Sequence, residues 1–232
     1  MLRPDHLADA IGCLVEAFQR LPLVQALAPS RAEFSQFMRV VSEDAAQHGL
    51  SLVLIHRPTG RLVGCGICED YAAALGGELP DFLDRLLPGI TIQVALDEKY
   101  IASAGVPTER TFHMNLLALD REFEGRNLPV QFIQATLDFA VDRGFSAAIV
   151  HAASPVVQAM MRENFGFVCV AAQEYATYEL DGVRPCPNLP RGAGIMLMTR
   201  SLRDFPQHRS AQSGLGPPVS LLASPPDNGI TL

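Results

Sequence analysis

The chain reads as an α/β domain, a mixed β-sheet covered by helices on both faces. The hydrophobic period is helical over the first fifty residues and becomes strand-like at Leu50. From Thr111 onward, strand-like and helix-like segments alternate, the pattern of a sheet with crossover helices. The chain has 232 residues, 48% of them hydrophobic and 19% charged, enough for one core that stands without disulfide or metal staples.

Each element has its own signal. From Leu7 to Leu27, apolar residues fall at Ala10, Ile11, Leu14, Val15, Phe18 and Leu21, the stripe of a helix with one buried face, and Pro22 ends its regular part. Ser30 and Glu33 have the spacing of a capping box for a second helix, with a stripe of Phe34, Phe37, Met38, Val41 and Ala45 and a stop at Gly49. Leu50–Ile55, the turn Arg57–Gly60 and Arg61–Cys68 form a hairpin. An insert follows, from about Glu69 to Arg110, whose clearest helix spans Pro80–Leu87. Thr111–Leu119 is a buried strand, Pro129–Arg143 a helix and Ser146–His151 a strand. Ser154 caps a helix with Pro155 in its first turn. Phe167–Ala172 and Gly194–Arg200 complete the sheet. Residues 1–202 therefore make the folded domain. Residues 203–232, rich in Pro, Ser and Gly, hold little apolar area to offset ordering entropy and read as a disordered tail.

Composition excludes several classes. The net charge is −7, Lys99 is the sole lysine and the arginines do not cluster, which argues against nucleic-acid phosphates as a partner. No run approaches the roughly 20 apolar residues of a membrane span. Polar residues interrupt the N-terminus at once, so no secretory leader is expected and the protein is expected in the cytoplasm. Five scattered cysteines do not form a secreted framework. Cys65 and Cys68 are a C-x-x-C within a strand, where residues three apart point to opposite faces, so no metal site is expected there.

Three stretches carry a resemblance. They are Leu116-Leu117-Ala118-Leu119 running through Glu124-Gly125-Arg126-Asn127-Leu128-Pro129 into a helix, the junction Arg162-Glu163-Asn164-Phe165-Gly166-Phe167, and the hairpin containing Gly49–Val53 and Val63-Gly64. With the element order, over about Leu7–Leu202, they resemble the GNAT superfamily of N-acetyltransferases, closest to its arylalkylamine/dopamine N-acetyltransferase branch. The resemblance implies a mixed, mostly antiparallel sheet of about six or seven strands with helices on both faces. It also implies acetyl-CoA or another acyl-CoA as co-substrate, a small-molecule amine as acceptor, and a monomer or homodimer.

The same resemblance implies a cofactor site. Backbone at Leu117 and Leu119 holds the thioester and pantetheine. The pyrophosphate sits against Glu124, Gly125, Arg126, Asn127, Leu128 and Val130, where a helix N-terminus offers N–H groups and its dipole. The loop departs from the family's Arg/Gln-x-x-Gly-x-Gly/Ala pattern. Glu124 brings negative charge, Asn127 replaces a glycine while tolerating a left-handed backbone and offering a cap, and Pro129 removes a donor. The family's glutamate base corresponds to Leu21, before Pro22, and its tyrosine acid to Arg162, which keeps its proton but can face a thiolate.

The remaining candidates for the chemistry are His113, Glu69 and Tyr175. His113 shares a face with Asn115 on the central strand and titrates near neutrality, so it reads as a proton relay or as a core histidine. Glu69 and Asp70 end the second strand and read as an amine-side base or as a solvated hairpin end. Tyr175 and Tyr178 are a proton donor and pocket wall, or structural tyrosines. His151 touches the donor's arm or merely ends its strand. Three functions stay open: acyl-CoA-dependent N-acyltransfer, an inactive binding relative, and transfer from a carrier protein's phosphopantetheine.

Overall fold

The computed structural model describes residues 1–75, 85–104, 108–123, 127–206 and 230–231. The elements are α1 (Leu7–Phe18), α2 (Pro22–Leu27), α3 (Arg31–His48), β1 (Leu52–His56), β2 (Arg61–Asp70), α4 (Tyr71–Ala74), α5 (Leu87–Ala104), β3 (Thr111–Leu119), α6 (Leu128–Asp142), β4 (Ala147–Ala152), α7 (Pro155–Phe165), β5 (Val168–Glu174), β6 (Gly194–Ser201) and β7 (Ile230–Thr231). The expected mixed sheet is present. Its strand order is β5-β6-β4-β3-β2-β1-β7, and β3–β4 is its one parallel pair.

Local chemistry sets the boundaries. Pro22 restricts Leu21 to extended backbone and then opens α2, which splits the expected helix Leu7–Leu27 in two. The Ser30 hydroxyl accepts from the Glu33 amide at 3.2 Å and the Glu33 carboxylate accepts from the Ser30 amide at 2.7 Å, so the capping box forms. Gly49 and Gly166 end α3 and α7 in the left-handed region, where a side chain would be strained.

The insert differs from expectation. Its main described helix is Leu87–Ala104, and residues 80–84 of the expected helix Pro80–Leu87 lie outside the described residues. Ile92, Leu96 and Tyr100 recur every four residues and are buried. Ile90, Val94 and Ile101 add apolar residues on other sides and blur that period in the sequence. The packed region also runs past Leu202, because Phe205 is buried in the core under the Arg200 guanidinium. Residues 207–229 and 232 of the expected tail lie outside the described residues.

Two layers of core sandwich the sheet. On one face, α1 and α3 pack Leu14, Phe34 and Met38 against Cys65, Ile67 and Ala118, while α5 covers Ile149, Ile195 and Leu197. On the other, α6 and α7 pack Phe132, Ile133, Met161 and Phe165 against Leu54, Phe112, Met114 and Val150. Cys65 and Cys68 fall in cores on opposite faces, and all five cysteines are free.

Phe132 is fully buried, and its ring lies against Gly66, where an added Cβ would come within 3.3 Å. Phe132→Ala should therefore lower the unfolding free energy by about 3–5 kcal/mol in chemical denaturation. A loss below about 1 kcal/mol would show that α6 is not seated on β2 in this way.

Candidate active site

The site begins with an irregularity in β3. Against β2, Cys68 pairs with Met114 and Ile67 with Leu116, which leaves Asn115 as an extra residue without a partner. This is a β-bulge, and it bends the strand. As a result Asn115, bonded to Glu69, and Leu116, packed with the α1–α3 core, turn to the same side of the sheet.

The parallel ladder with β4 stops at the same place. It runs from Thr111–Ala147 to Met114–Val150, and no pairing continues beyond. From Asn115 to Leu119, β3 has β2 on one edge and, among the described residues, no strand on the other, so alternate N–H and C=O groups face an opening. The sequence placed this parting near Leu117; the bulge moves it back to Asn115, and Leu117 lines the opening instead.

The opening is a cleft with about 140 Å³ of internal space, walled mostly by apolar side chains. Ala17, Phe18 and Leu21 line it from the α1 side of the sheet, and Ile133, Val157, Met160 and Met161 from the α6–α7 side. It therefore passes through the sheet between the two strands. Asn115, His151 and Ser154 are the polar side chains among its described lining.

Beside the cleft, on the α1–α5 face, polar groups run across three strands. His113 Nδ1 lies 2.8 Å from Glu69 Oε1, and the Asn115 amide donates to the same oxygen at 3.0 Å. His113 Nε2 lies 3.1 Å from His151 Nδ1. His151 Nε2 sits 3.1 Å from Asp97 Oδ1, at ion-pair distance but off the direction of a straight hydrogen bond. The Tyr71 hydroxyl donates to that Asp97 oxygen at 2.7 Å, and its ring meets His113 edge-on. Burial, the largest influence, holds His151 below the ordinary imidazole range; Asp97 opposes it and His113 adds to it. Burial first, then the bond to Asp97, pushes the Tyr71 hydroxyl well above the usual phenol value.

The sequence candidates separate clearly. Glu69 and His113 come together, and His151 joins them. Asp70 does not: its carboxylate caps α4 by accepting from the Ala72 amide. Tyr175 is buried in the core beneath α5, its hydroxyl donates to the Ala153 carbonyl at 3.3 Å, and it is not among the lining residues. Tyr178 packs against the same core. Arg162 is exposed, with its guanidinium toward the Met196 sulfur.

At the expected pyrophosphate loop, Glu124, Gly125 and Arg126 lie outside the described residues. Asn127 adopts the left-handed backbone at φ 57°, but its side chain makes no cap hydrogen bond, because that backbone turns it away from the first-turn amides. Pro129 lies in the first turn of α6. Leu128 and Leu119 are buried in one core and Val130 is partly buried in the adjoining one, so their side chains are spent on packing and only their backbone is left for a ligand.

Asp97 and Tyr71 were missed by sequence reading. Asp97 flanks the buried stripe of α5 and carries no local motif, so only the fold shows that it reaches His151. Among the described residues, no group of His, Cys, Asp and Glu is arranged to hold a metal ion, and no helix is long and apolar enough to cross a membrane.

Sequence comparison finds no matching family model and no matching curated protein. Comparison of folds finds close likenesses. The C-terminal condensation domain of Ebony, solved with β-alanyl-dopamine, is 18% identical at a TM-score of 0.76, covering 86% of this chain and 96% of that one. A mosquito arylalkylamine N-acetyltransferase, like 5b, is 16% identical at 0.70 over the same shares. The Drosophila melanogaster polyamine N-acetyltransferase is 15% identical at 0.65, covering 87% of this chain and 97% of that one. The chain thus has the GNAT fold.

One side chain ties the β4 side of the cleft in place. Gln158 on α7 donates from Nε2 to the Ala152 and Gly194 carbonyls, both at 3.0 Å. Gln158→Leu leaves two carbonyls without that donor and should cost about 1–3 kcal/mol of stability, measured by denaturant unfolding. An unchanged midpoint would remove this tie from the account.

Proposed function

We propose that the protein is an N-acyltransferase that moves an acyl group, acetyl in the first instance, from acyl-CoA to the primary amine of a small molecule. The observation that carries this reading is the cleft between β3 and β4 with Glu69 and His113 beside it. A slot through a sheet admits a thin thioester arm from one face and an amine from the other. The apolar wall of Phe18 and Leu21 suits an acceptor with an aryl or alkyl body. The neighbours named for arylalkylamines and polyamines support an amine acceptor.

In this reading the ammonium group enters beside Glu69 and gives up a proton to the Glu69–His113 pair. The amine then attacks the thioester carbonyl. Unpaired N–H groups on the open edge of β3 hold the oxygen as charge develops there. Collapse breaks the C–S bond, the extra proton on the new amide nitrogen passes to solvent, and the thiolate takes one up at the solvent-facing end of the cleft, since neither Tyr175 nor Arg162 is among its lining.

A second reading has a specific observation in its favour. Glu124 and Pro129 weaken a cradle for the pyrophosphate of coenzyme A, and the condensation domain of Ebony has the same fold. The donor is then a phosphopantetheine carried on another protein, which needs the slot and not the pyrophosphate loop.

Thermal shift with acetyl-CoA, coenzyme A and pantetheine separates the two. A ligand at 100 times its Kd stabilises the native state by about 2.7 kcal/mol. Stabilisation by acetyl-CoA and coenzyme A beyond pantetheine supports the first reading, and equal effects support the second. No effect from any of them contradicts both. For the base, Glu69→Gln should lower kcat/KM toward a panel of aryl- and alkylamines by about 100-fold or more at neutral pH. Retained activity would exclude Glu69.

A further inference from the structure

The proposed acyl transfer needs one proton acceptor, yet the structure sets four titratable side chains in a row, two buried histidines (His113 and His151) between the partly buried carboxylates of Glu69 and Asp97. The row has three contacts. At one end His113 Nδ1 faces a carboxylate oxygen, at the other His151 Nε2 faces another, and in the middle Nε2 of one ring faces Nδ1 of the other. Each contact is favourable only with one proton in it.

Two neutral imidazoles carry two protons between them. Whichever tautomers they adopt, at least one of the three contacts is left empty, and the pair with both protons in the middle leaves two empty. If the empty one is at Glu69, a ring lone pair faces a carboxylate that also accepts from Asn115. If it is at Asp97, a lone pair faces a carboxylate and has the Gln93 backbone carbonyl close to the same ring. If it is in the middle, two lone pairs meet at 3.1 Å in a buried site.

We propose that this row holds a third proton, so that His113 is an imidazolium between Glu69 and a neutral His151 whose Nε2–H lies beside the Asp97 carboxylate at ion-pair distance. The arrangement places His113 N–H groups on Glu69 and on the His151 lone pair, and balances one positive charge between two carboxylates. Burial disfavours charge on His151 and agrees with the cation lying on His113. Asp97 is then a positioning residue: it fixes the His151 tautomer and, through it, the proton on His113. The other titratable groups packed near these rings are Tyr71, held on Asp97, and Tyr100, which acts on Tyr71. Neither supplies a competing positive charge.

This proposal deepens the acyltransferase reading and rests on it for its use. A row with three protons is full, so it must release one before it takes another from the acceptor amine. Proton balance then sets the acid side of the rate profile: the full row gives its third proton to solvent, and the emptied row accepts one proton from the ammonium. Asn at position 97 can donate its own amide N–H to His151 Nε2, which satisfies all three contacts with only two imidazole protons.

The test is nitrogen-15 NMR of the histidine rings in the full chain, titrated with pH, for the native protein and Asp97→Asn. The expected native result is a doubly protonated His113 at pH 7, assigned by its loss in His113→Gln. In Asp97→Asn the cation should disappear at a pH lower by about one unit or more, the effect of removing a nearby opposite charge. Two neutral rings at pH 7 in the native protein would overturn the proposal, and that measurement stands even if the variant does not fold. An imidazolium whose titration is unmoved in a folded Asp97→Asn would overturn the role of Asp97. Because the rings are observed directly, failure here is distinct from failure to find an amine substrate, which would instead count against the acyltransferase reading.

Discussion

One extra residue in one strand governs the site. Asn115 has no partner on β2, the strand bends there, and the parallel ladder to β4 ends one residue earlier at Met114. Were β3 to run straight, its edge would close onto β4 as it does from Thr111 to Met114, and the sheet would be continuous. The bulge converts a stretch of ladder into an opening with backbone donors along one side. It also turns Asn115 toward Glu69, so the opening and the acid-base pair have one local origin.

The polar row beside the opening costs stability to bury, and the fold meets that cost with contacts from every side. Glu69 comes from the end of β2, His113 from β3, His151 from β4 and Asp97 from the insert helix α5. None is adjacent to another in sequence. The sheet aligns the first three, and α5 closes over them through Ile92, Leu96 and Tyr100. Removing α5 would expose the row to water and screen its charges. The insert thus supplies part of the polar machinery through Asp97.

Most of the fold was legible because its elements obey simple periods. The capping box at Ser30, the Gly49 and Gly166 stops and the Pro155 start are short-range signals, and the structure reproduces each. The strand Thr111–Leu119 was legible to the residue as a dense apolar run with polar residues on alternate positions. The long insert helix was not, because apolar residues lie on several of its sides. Within the site, His113, Glu69 and His151 were visible as polar residues at strand ends. Asp97 was not, since its role arises from a contact 54 positions away in the chain with His151. Arg162 was placed by analogy of position and Tyr175 as a polar residue beyond the strand after Gly166, and the packing of α7 and β5 directs them elsewhere. The bulge itself leaves no trace in the composition of Met114-Asn115-Leu116.

The central claim is that the free edge of β3, from Asn115 to Leu119, receives the thioester arm of the donor. Amide hydrogen exchange, followed residue by residue with and without saturating acetyl-CoA, tests it most directly. The account predicts that amides within Asn115–Leu119 exchange more slowly in the complex, while Thr111–Met114, already paired with β4, change little. Bound acetyl-CoA that leaves Asn115–Leu119 unprotected would contradict it.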